Sequence, residues 1–397
     1  MTSTIYWIIS AALVASAGLE AGPVLAAHQA KAPQFTTLYN FKESKNGEGI
    51  VESTLTAFDG SLYGAATTGG SAGLGTVFRL NLASLAETTL TSFTGGKKQG
   101  AVPFGPLARA GGAIYGSTIE GHGTGAGSNG NYTGYGTIWR LTARIGKAVV
   151  FHGFNGADGS QPFSGVTPVA GIFYGVTWYG GPANTGSAFK LDGSGKLTQL
   201  YAFPDSHIGC NPLGAPAVVG HILYGTTTFC GAGGSGTVFA LDLDSGTASL
   251  LHSFAANPNG SAEPNALVYQ HGTLYGTTYA DGGAGSVYKI DLQTKQYSVL
   301  HQFSGGADGR FPTAGLTAFH GKFYGVTEQG GGSDLGTIYS IDPTTGTETV
   351  VYNFTGGRNG DTPVAGLFAE KDALYGSTLN ISSEYPNPSG SLFKFVP

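Results

Sequence analysis

The chain has 397 residues, enough for two average domains or one large repeat fold, and it contains 68 glycines. Only 11% of the residues are charged whereas 12% are aromatic, so the glycines indicate short strands joined by tight turns, and the composition argues against a disordered chain. A formal net charge of −5 excludes an extended basic surface, and we therefore expect no nucleic-acid partner.

The first 27 residues differ in composition from the rest of the chain. Residues 5–19 form an uncharged, mostly apolar run, followed by small residues up to Ala27. Fifteen residues are too few for a membrane span but fit the core of a signal peptide, although no Lys or Arg precedes them. We predict a cleaved signal peptide at 1–27 and a linker at 28–34, with an uncleaved anchor as the alternative. No other segment could cross a bilayer, so we expect a secreted or periplasmic protein.

A Tyr-Gly pair preceded by an apolar residue recurs after this segment, and a period near fifty residues is typical of a repeat architecture. Its tyrosines are Tyr63, Tyr115, Tyr174, Tyr224, Tyr275, Tyr324 and Tyr375. Each unit contains four short segments rich in β-branched and aromatic residues and bounded by Gly, Asn, Asp or Pro, which predicts four antiparallel strands. In the first unit these segments are residues 53–58, 61–64, 75–80 and 89–93.

Seven such units predict an all-β fold, a seven-bladed β-propeller of four-stranded antiparallel blades spanning residues 35–397. Residues 35–41 match the fourth segment of a unit, and residues 391–395 match the third. We therefore predict that residues 35–41 complete the last blade and close the ring, because closure removes open strand edges. We expect such a closed ring to be a monomer.

Several recurrent residues that could carry chemistry are better explained as structural. One set stands two residues before the last Phe of a fourth segment, where other units have Tyr, which predicts half-buried rings: His152, His252 and His301. A second set lies in the turn between the first and second segments and should be solvated: His221, His271 and His320. The glycine of each Tyr-Gly pair indicates close approach of another ring or backbone.

The recurring Asn/Asp-Gly-x-x-Pro element, at 158–162, 308–312 and 359–363, predicts turns, since Asn-Gly and Asp-Gly tolerate left-handed backbone. No compact acidic loop with calcium-binding spacing occurs, so we expect no metal or other cofactor. Cys210 and Cys230 lie in two connections of the fourth unit that should share one face. In an oxidising compartment this predicts a disulfide, with a reactive thiol or a metal pair as the alternatives.

The repeated unit also resembles a known family. Residues 223–227, Leu-Tyr-Gly-Thr-Thr, with residues 236–241, Gly-Thr-Val-Phe-Ala-Leu, are similar to the GloVer tandem repeat of bacterial surface and secreted proteins, and the likeness extends from about residue 35 to 396. The resemblance implies a β-propeller exported from a bacterium and no activity that can be transferred. Many similar proteins end in an anchoring domain, whereas this chain ends at Pro397, so we expect no C-terminal anchor. Kelch-type propellers share the period but fit less well.

The connection between the second and third segments varies most from unit to unit and includes a long insertion at residues 120–135. Aromatic rings beside amide and carboxylate groups suit a sugar surface, although rings that cap blade ends would give the same pattern. The candidate ligand-binding residues are His122, Trp178, Tyr179, Tyr279, Asp281, Glu328, Gln329 and Asn380, with Phe229 at the same level of the fourth unit.

Two functions remain open from the sequence. The first, which we favour, is a non-enzymatic scaffold that binds a glycan, a peptide or an envelope partner through these variable turns. The second is an extracellular polysaccharide hydrolase or lyase with Glu120 and Glu328 as an acid/base pair. No nucleophile elbow, Walker loop, zinc-protease motif or dinucleotide-binding motif occurs.

Overall fold

The structure is a computed structural model that describes residues 32–41, 53–96, 99–123, 134–142, 146–204, 207–255, 262–380 and 390–397. The predicted signal peptide and most of the predicted linker lie outside these ranges. Pro33–Pro397 form one compact unit. The described residues contain thirty β-strands and two short 3-10 turns, at Asp281–Gly283 and Gly357–Asn359. Among them, no helix is long and apolar enough to cross a membrane.

Seven antiparallel sheets form the ring, which confirms the predicted seven-bladed propeller. The first strand, β1 (Gln34–Asn40), belongs to the last blade. Blades 1 to 3 consist of β2 (Thr56–Phe58), β3 (Ser61–Ala66), β4 (Thr76–Asn81) and β5 (Glu87–Ser92); β6 (Gly100–Ala110), β7 (Ala113–Gly121), β8 (Thr137–Thr142) and β9 (Ala148–Gly153); and β10 (Thr167–Val169), β11 (Ile172–Thr177), β12 (Ser187–Leu191) and β13 (Leu197–Ala202). The segments predicted for the first unit match β2 to β5 within three residues at each end.

In blades 4 and 6 the first strand is divided into two short pieces, and both pieces pair with the second strand. Blades 4 to 6 consist of β14 (Cys210–Pro212), β15 (Ala217–Val219), β16 (Ile222–Phe229), β17 (Thr237–Asp242) and β18 (Ala248–Ser253); β19 (Val268–Gln270), β20 (Thr273–Thr278), β21 (Ser286–Asp291) and β22 (Tyr297–Gln302); and β23 (Arg310–Pro312), β24 (Thr317–Phe319), β25 (Lys322–Gln329), β26 (Thr337–Ile341) and β27 (Glu348–Asn353).

The N-terminal strand closes the ring as predicted. Blade 7 consists of β28 (Phe368–Glu370), β29 (Ala373–Thr378), β30 (Ser391–Val396) and β1. The pairing of β1 with β30 is antiparallel and runs from Gln34 opposite Val396 to Asn40 opposite Ser391. The two ends of the chain therefore lie in one sheet, and β30 is paired on both of its edges.

The glycine of each Tyr-Gly pair lies directly under a buried aromatic side chain from the third strand. A Cβ atom on any of these glycines would lie less than 3.0 Å from a ring atom, a distance that real side chains do not reach. The cross-strand pairs are Gly64–Phe78, Gly116–Trp139, Gly175–Phe189, Gly225–Phe239, Gly276–Tyr288, Gly325–Tyr339 and Gly376–Phe393. The expectation that a ring approaches these glycines closely is confirmed.

The same aromatic rings join neighbouring blades. Each ring packs against the Phe that follows the fourth strand of the preceding blade, with ring centroids 5.0 to 6.3 Å apart. The pairs are Phe41–Phe78, Phe93–Trp139, Phe154–Phe189, Phe203–Phe239, Phe254–Tyr288, Phe303–Tyr339 and Phe354–Phe393. Because all these rings are buried, every blade junction is sealed by an aromatic contact of the same kind.

The histidines occupy the structural positions predicted for them. His152, His252 and His301 are half-buried and stand edge-on to the Phe two residues later, at centroid distances of 5.0, 4.9 and 4.8 Å. Tyr39, Tyr201 and Tyr352 make the same contact in other blades, at 5.1, 5.0 and 5.1 Å. The other predicted set lies exposed in turns between first and second strands: His221, His271 and His320.

Substituting the glycine under a ring should destabilise the protein, whereas an open glycine should tolerate the same change. Gly225→Ala would drive a methyl group into the ring of Phe239, and we expect the free energy of unfolding to fall by about 2 kcal/mol or more. Gly193 has no atom within 4 Å of an added Cβ, so Gly193→Ala is the control and should change stability by less than about 0.5 kcal/mol. Urea denaturation measures both, and equal effects would contradict the packing role.

Tyr339→Phe should stabilise the protein. The side chain of Tyr339 is fully buried, and its hydroxyl has no hydrogen-bond partner among the described residues. Four of the seven blades use Phe at this position, as in Phe239, so the ring alone fits. Removal of an unsatisfied buried hydroxyl should raise the free energy of unfolding by about 1 kcal/mol. A lower urea midpoint for Tyr339→Phe than for the parent protein would show that the hydroxyl is satisfied.

Candidate functional site

A cavity of about 740 Å³ lies on the axis of the ring. All seven blades contribute residues from in or beside their first strand, which places the cavity at the centre. One such residue from each blade is Thr54, Pro106, Thr167, Ala217, Val268, Thr317 and Leu367. The wall is built mainly from small and apolar residues, and Glu263 is the one charged side chain among the described residues that line it. The cavity can therefore accept a ligand with apolar surface.

The mouth of the cavity is formed where the loop that enters each first strand meets the turn after the second strand. Trp178 and Tyr279 line the cavity from that turn and Thr228 from the end of its second strand, each four residues after the Tyr of its Tyr-Gly pair. The entering loop is tied to this turn, since the Trp178 amide donates to the Gln161 carbonyl at 3.0 Å and the Tyr279 amide to the Glu263 carbonyl at 3.2 Å. These hydrogen bonds fix the side chains at the mouth relative to one another.

The entering loops share an unusual backbone conformation. In six blades the residue before the loop proline is not glycine yet has a φ between 46° and 59°: Val102, Gln161, Asn211, Glu263, Phe311 and Thr362. Five of these six amides donate to a carbonyl of the preceding blade at 2.7 to 3.0 Å, as Asn211 does to Thr185. Left-handed backbone before proline is costly for such residues and persists because the surrounding structure enforces it.

An aromatic wall, defined as Phe104, Phe163, Trp178 and Phe229, borders the mouth on the side of blades 2 to 4. Trp178 stands edge-on to Phe163 at 5.6 Å and to Phe229 at 5.9 Å, and Phe163 stands edge-on to Phe104 at 5.2 Å. Phe229 is 42% exposed, and Trp178 is half-buried. Phe104 and Phe163 were not among the residues predicted from the sequence. Each directly follows the proline that comes after the left-handed residue, at a position where other blades have Leu, Asn, Thr or Val.

An acidic side, defined as Glu263, Tyr279 and Glu328, is formed by blades 5 and 6. Glu263 and Tyr279 line the cavity, whereas Glu328 is not among the lining residues and is joined to them through Tyr279. The Tyr279 hydroxyl donates to Glu328 Oε2 at 2.8 Å, and the ring stacks on Phe311 at 4.9 Å. Burial, followed by the bond to Glu328, raises the pKa of Tyr279 far above its ordinary value, so its hydroxyl stays protonated. Burial also raises the pKa of the Glu263 carboxyl. Sequence reasoning predicted Tyr279 and Glu328 but missed Glu263.

Gln329 and Arg310 support the acidic side from blade 6. Gln329 Nε2 donates to Glu328 Oε1 at 3.3 Å, so Glu328 accepts hydrogen bonds on both oxygens. The Arg310 guanidinium donates to Gln329 Oε1 at 3.1 Å and to Asp334 at 3.2 Å. The guanidinium is thus bonded to the Gln329 amide oxygen and to the Asp334 carboxylate.

Glu120 and Glu328 occupy different places in their blades. Glu120 stands five residues after the repeat tyrosine and Glu328 four residues after it, so strand alternation directs the two side chains to opposite faces. Glu120 is 3% exposed, lies opposite Ala101 on the ladder and does not line the cavity. Burial raises the pKa of its carboxyl, and its Oε2 has no hydrogen-bond partner among the described residues.

The remaining candidates take part in local contacts and are not among the residues that line the cavity. His122 Nδ1 lies 3.1 Å from the Phe154 carbonyl oxygen, and the ring of Tyr179 stands edge-on to Trp178 at 6.3 Å. The Asp281 carbonyl accepts a hydrogen bond from Gln302 at 2.9 Å. Asn380 Oδ1 accepts from the Asp361 amide at 3.2 Å and from the Thr378 hydroxyl at 2.7 Å. Residues 124–133 of the predicted insertion lie outside the described residues.

Cys210 and Cys230 form the predicted disulfide, with Cα atoms 5.4 Å apart. The bond joins the loop that enters blade 4 to the turn after its second strand. Cys210 pairs with Phe229 on the ladder, and the side chain of Asn211 donates to the Trp178 carbonyl at 3.0 Å. The disulfide therefore supports one end of the aromatic wall. Within the described ranges, no group of three or more His, Cys, Asp or Glu side chains could hold a metal ion.

Comparison with known proteins identifies one family and several solved structures of similar fold. A family profile described as the Gloeobacter/Verrucomicrobia repeat matches residues 125–313 and 280–397. None of the curated protein sequences compared with the chain matches it. Among solved structures, an extracellular domain assigned to a one component system of B. thetaiotaomicron has a TM-score of 0.58 at 11% identity, over 92% of this chain and 42% of that chain.

Two oligogalacturonate lyases are similar in fold. One, in complex with manganese, has a TM-score of 0.52 at 11% identity and covers 92% of this chain and 96% of its own. The other, from Vibrio parahaemolyticus, has a TM-score of 0.50 at 9% identity, over 92% and 97%. At such identities the likeness concerns the fold alone, since one fold carries many activities.

Removing the disulfide should loosen blade 4 and the aromatic wall together. For the double variant Cys210→Ala/Cys230→Ala we expect the free energy of unfolding to fall by about 3 kcal/mol, because the bond closes a loop with a sequence separation of 20. Urea denaturation followed by Trp fluorescence measures this, and the parent protein under reducing conditions is the control. An unchanged urea midpoint in both the double variant and the reduced parent protein would contradict the role of the disulfide in supporting blade 4.

Proposed function

This chain belongs to the Gloeobacter/Verrucomicrobia repeat family, and we propose that it is an exported binding protein that holds an oligosaccharide at the mouth of its axial cavity without cleaving it. The observation that carries the proposal is that three aromatic residues of the wall line the same cavity as Glu263 and Tyr279: Phe104, Phe163 and Trp178. Export is supported by the disulfide, which persists in oxidising compartments, and by the apolar N-terminal run.

The two sides of the mouth suit the two surfaces of a sugar ring. The C–H faces of a sugar are apolar and can pack on Trp178 and Phe163, whose rings contact each other at 5.6 Å and present both edges and faces. Sugar hydroxyls are hydrogen-bond donors, and the carboxylate of Glu263, which lines the cavity, can accept from them. The hydrogen bonds that fix the mouth prearrange these groups, which lowers the entropic cost of binding.

An oligosaccharide-cleaving enzyme is the second candidate, and the burial of Glu263 is the observation that favours it. A raised pKa is what a general acid needs, and Glu328, which accepts a hydrogen bond from Tyr279, could serve as the partner carboxylate. Glu263 replaces Glu120 in this alternative, because Glu263 lines the cavity and Glu120 does not. Glu328 does not line the cavity either, and it is kept because it is hydrogen-bonded to the lining residue Tyr279. We favour binding alone, since both oxygens of Glu328 accept hydrogen bonds from the protein.

The substrate named for the two lyases of similar fold does not suit this cavity. Oligogalacturonate carries a carboxylate on each sugar, and its recognition requires basic side chains. None of the described residues lining the cavity is Lys, Arg or His, and Glu263 is acidic. We therefore expect a neutral or basic saccharide at this mouth.

Truncation of Trp178 tests the proposed site. For Trp178→Ala we expect affinity for a retained oligosaccharide to fall at least about tenfold, because a central aromatic anchor contributes more than other contacts. Tyr269→Ala is the control, since Tyr269 is a 40% exposed aromatic residue on β19, toward the far end of blade 5. Affinity is measured by calorimetry after a screen of polysaccharides.

Product release is followed in the same samples to separate the two candidates. We expect no new reducing ends with the parent protein. Unchanged affinity in Trp178→Ala would contradict the site. Release of products that is lost in Glu263→Gln or Glu328→Gln would replace the binding function with the enzymatic one.

A further inference from the structure

The axial cavity continues well below its mouth, between the first strands. In blade 3 both Trp178 and Thr167 line it, and Thr167 lies opposite Tyr174, four residues before Trp178 on the second strand. At a rise of about 3.3 Å per residue, this offset corresponds to a depth of roughly 13 Å. Among the described residues, those that end the first strands, such as Val169 and Gln270, do not line the cavity. The wall therefore ends near the level of the repeat tyrosine.

The wall below the mouth is formed largely by small apolar residues. They include Pro106, Ala215, Pro216, Ala266 and Ala314. The prolines have no amide hydrogen to donate to a ligand. Glu263, the one charged residue among the described residues of the wall, lies in the loop at the mouth, where its carbonyl accepts a hydrogen bond from the Tyr279 amide. Charge is therefore confined to the mouth, and the depth of the cavity is apolar.

Several polar groups of the deep wall are already hydrogen-bonded between neighbouring blades. Thr167 Oγ1 donates to the Pro216 carbonyl at 2.7 Å, and Thr317 Oγ1 donates to the Leu367 carbonyl at 2.6 Å. The Ala314 carbonyl accepts a hydroxyl hydrogen from blade 5 at 2.8 Å. These groups are satisfied within the protein and need no partner from a ligand. A ligand group that enters here gains mainly by removing apolar surface from water.

From the depth of the cavity and its internally paired wall we infer that the saccharide held at the mouth carries an alkyl or acyl chain, which enters the cavity while the sugar rings pack on the aromatic wall. This inference rests on the proposed function and deepens it by naming the ligand class. Sugar hydroxyls would lose their hydrogen bonds to water in the deep part, which is costly, whereas a hydrocarbon chain would not. The volume of about 740 Å³ lies within the range of about 300–1,000 Å³ of small-molecule sites.

A series of glycosides with one sugar and a growing chain tests the inference. The full-length protein is titrated by calorimetry with methyl, butyl, hexyl and octyl β-D-maltosides, each below its critical micelle concentration. We expect affinity to rise roughly fourfold for each methylene that is buried, and the heat-capacity change of binding to become more negative with chain length. Octanol is the control without a sugar. Maltose esterified with octanoate on a hydroxyl distinguishes an acylated saccharide from a glycoside of a long-chain alcohol.

Filling the cavity tests where the chain lies. Ala215 is half-buried and lines the cavity, so Ala215→Phe should abolish the gain with chain length while affinity for methyl maltoside is unchanged. Ala314→Phe fills the cavity from blade 6 and gives the same test in a second position. Ala318→Phe is the matched control, since Ala318 is exposed on β24 and does not line the cavity. This control should keep the full gain.

Equal affinity of the parent protein for methyl and octyl maltoside would overturn the inference and leave the proposed function standing. A gain with chain length that survives in both Ala215→Phe and Ala314→Phe would overturn the assignment to the axial cavity. Octanol that binds as tightly as octyl maltoside would show that the sugar contributes nothing, which overturns the proposed function. Binding of none of the probes would overturn the inference, and the polysaccharide screen tests the proposed function separately.

Discussion

The contact between a strand glycine and a buried aromatic ring determines how this ring of blades is built. In each blade the missing side chain of the Tyr-Gly glycine leaves room for a third-strand ring, as Gly225 does for Phe239. That ring also meets the Phe after the fourth strand of the preceding blade. One residue thus packs the inside of a blade and seals its junction, and Phe41 extends the same contact across the closure of the ring.

Because this packing repeats in every blade, the blades differ from one another mainly in the side chains of the loops at their ends. The loops that enter the first strands keep a left-handed residue before proline and, in most blades, a hydrogen bond to the preceding blade, as at Asn211. Their side chains nevertheless range from Val102 to Glu263 and Phe311. The backbone is therefore held while the residues at the cavity mouth differ, which is how a propeller can specify a ligand without changing its core.

The sequence allowed prediction of the blades, the ring closure, the disulfide and the structural role of His152 and its counterparts, because each depends on local period or spacing. It allowed only part of the site to be predicted. Trp178, Tyr279 and Glu328 stood out as departures from the repeat. Phe104, in β6, did not, nor did Phe163 and Glu263, which lie in the segments that lead into the first strands of blades 3 and 5. Relative to the repeat tyrosine, Glu120 and Glu328 are offset by one residue, so their side chains lie on opposite faces of the second strand. This could be recognised only once the strand register was known.

The central claim is that the axial mouth between the aromatic wall and the acidic side is where a saccharide binds. A crystal structure of the protein with an oligosaccharide that it retains in solution is the most direct measurement. We predict sugar rings against Trp178, with hydroxyl groups within hydrogen-bonding distance of Glu263. Sugar density on the outer strands of the blades, or at the opposite end of the axis beside the turns that carry His271 and His320, would contradict the claim.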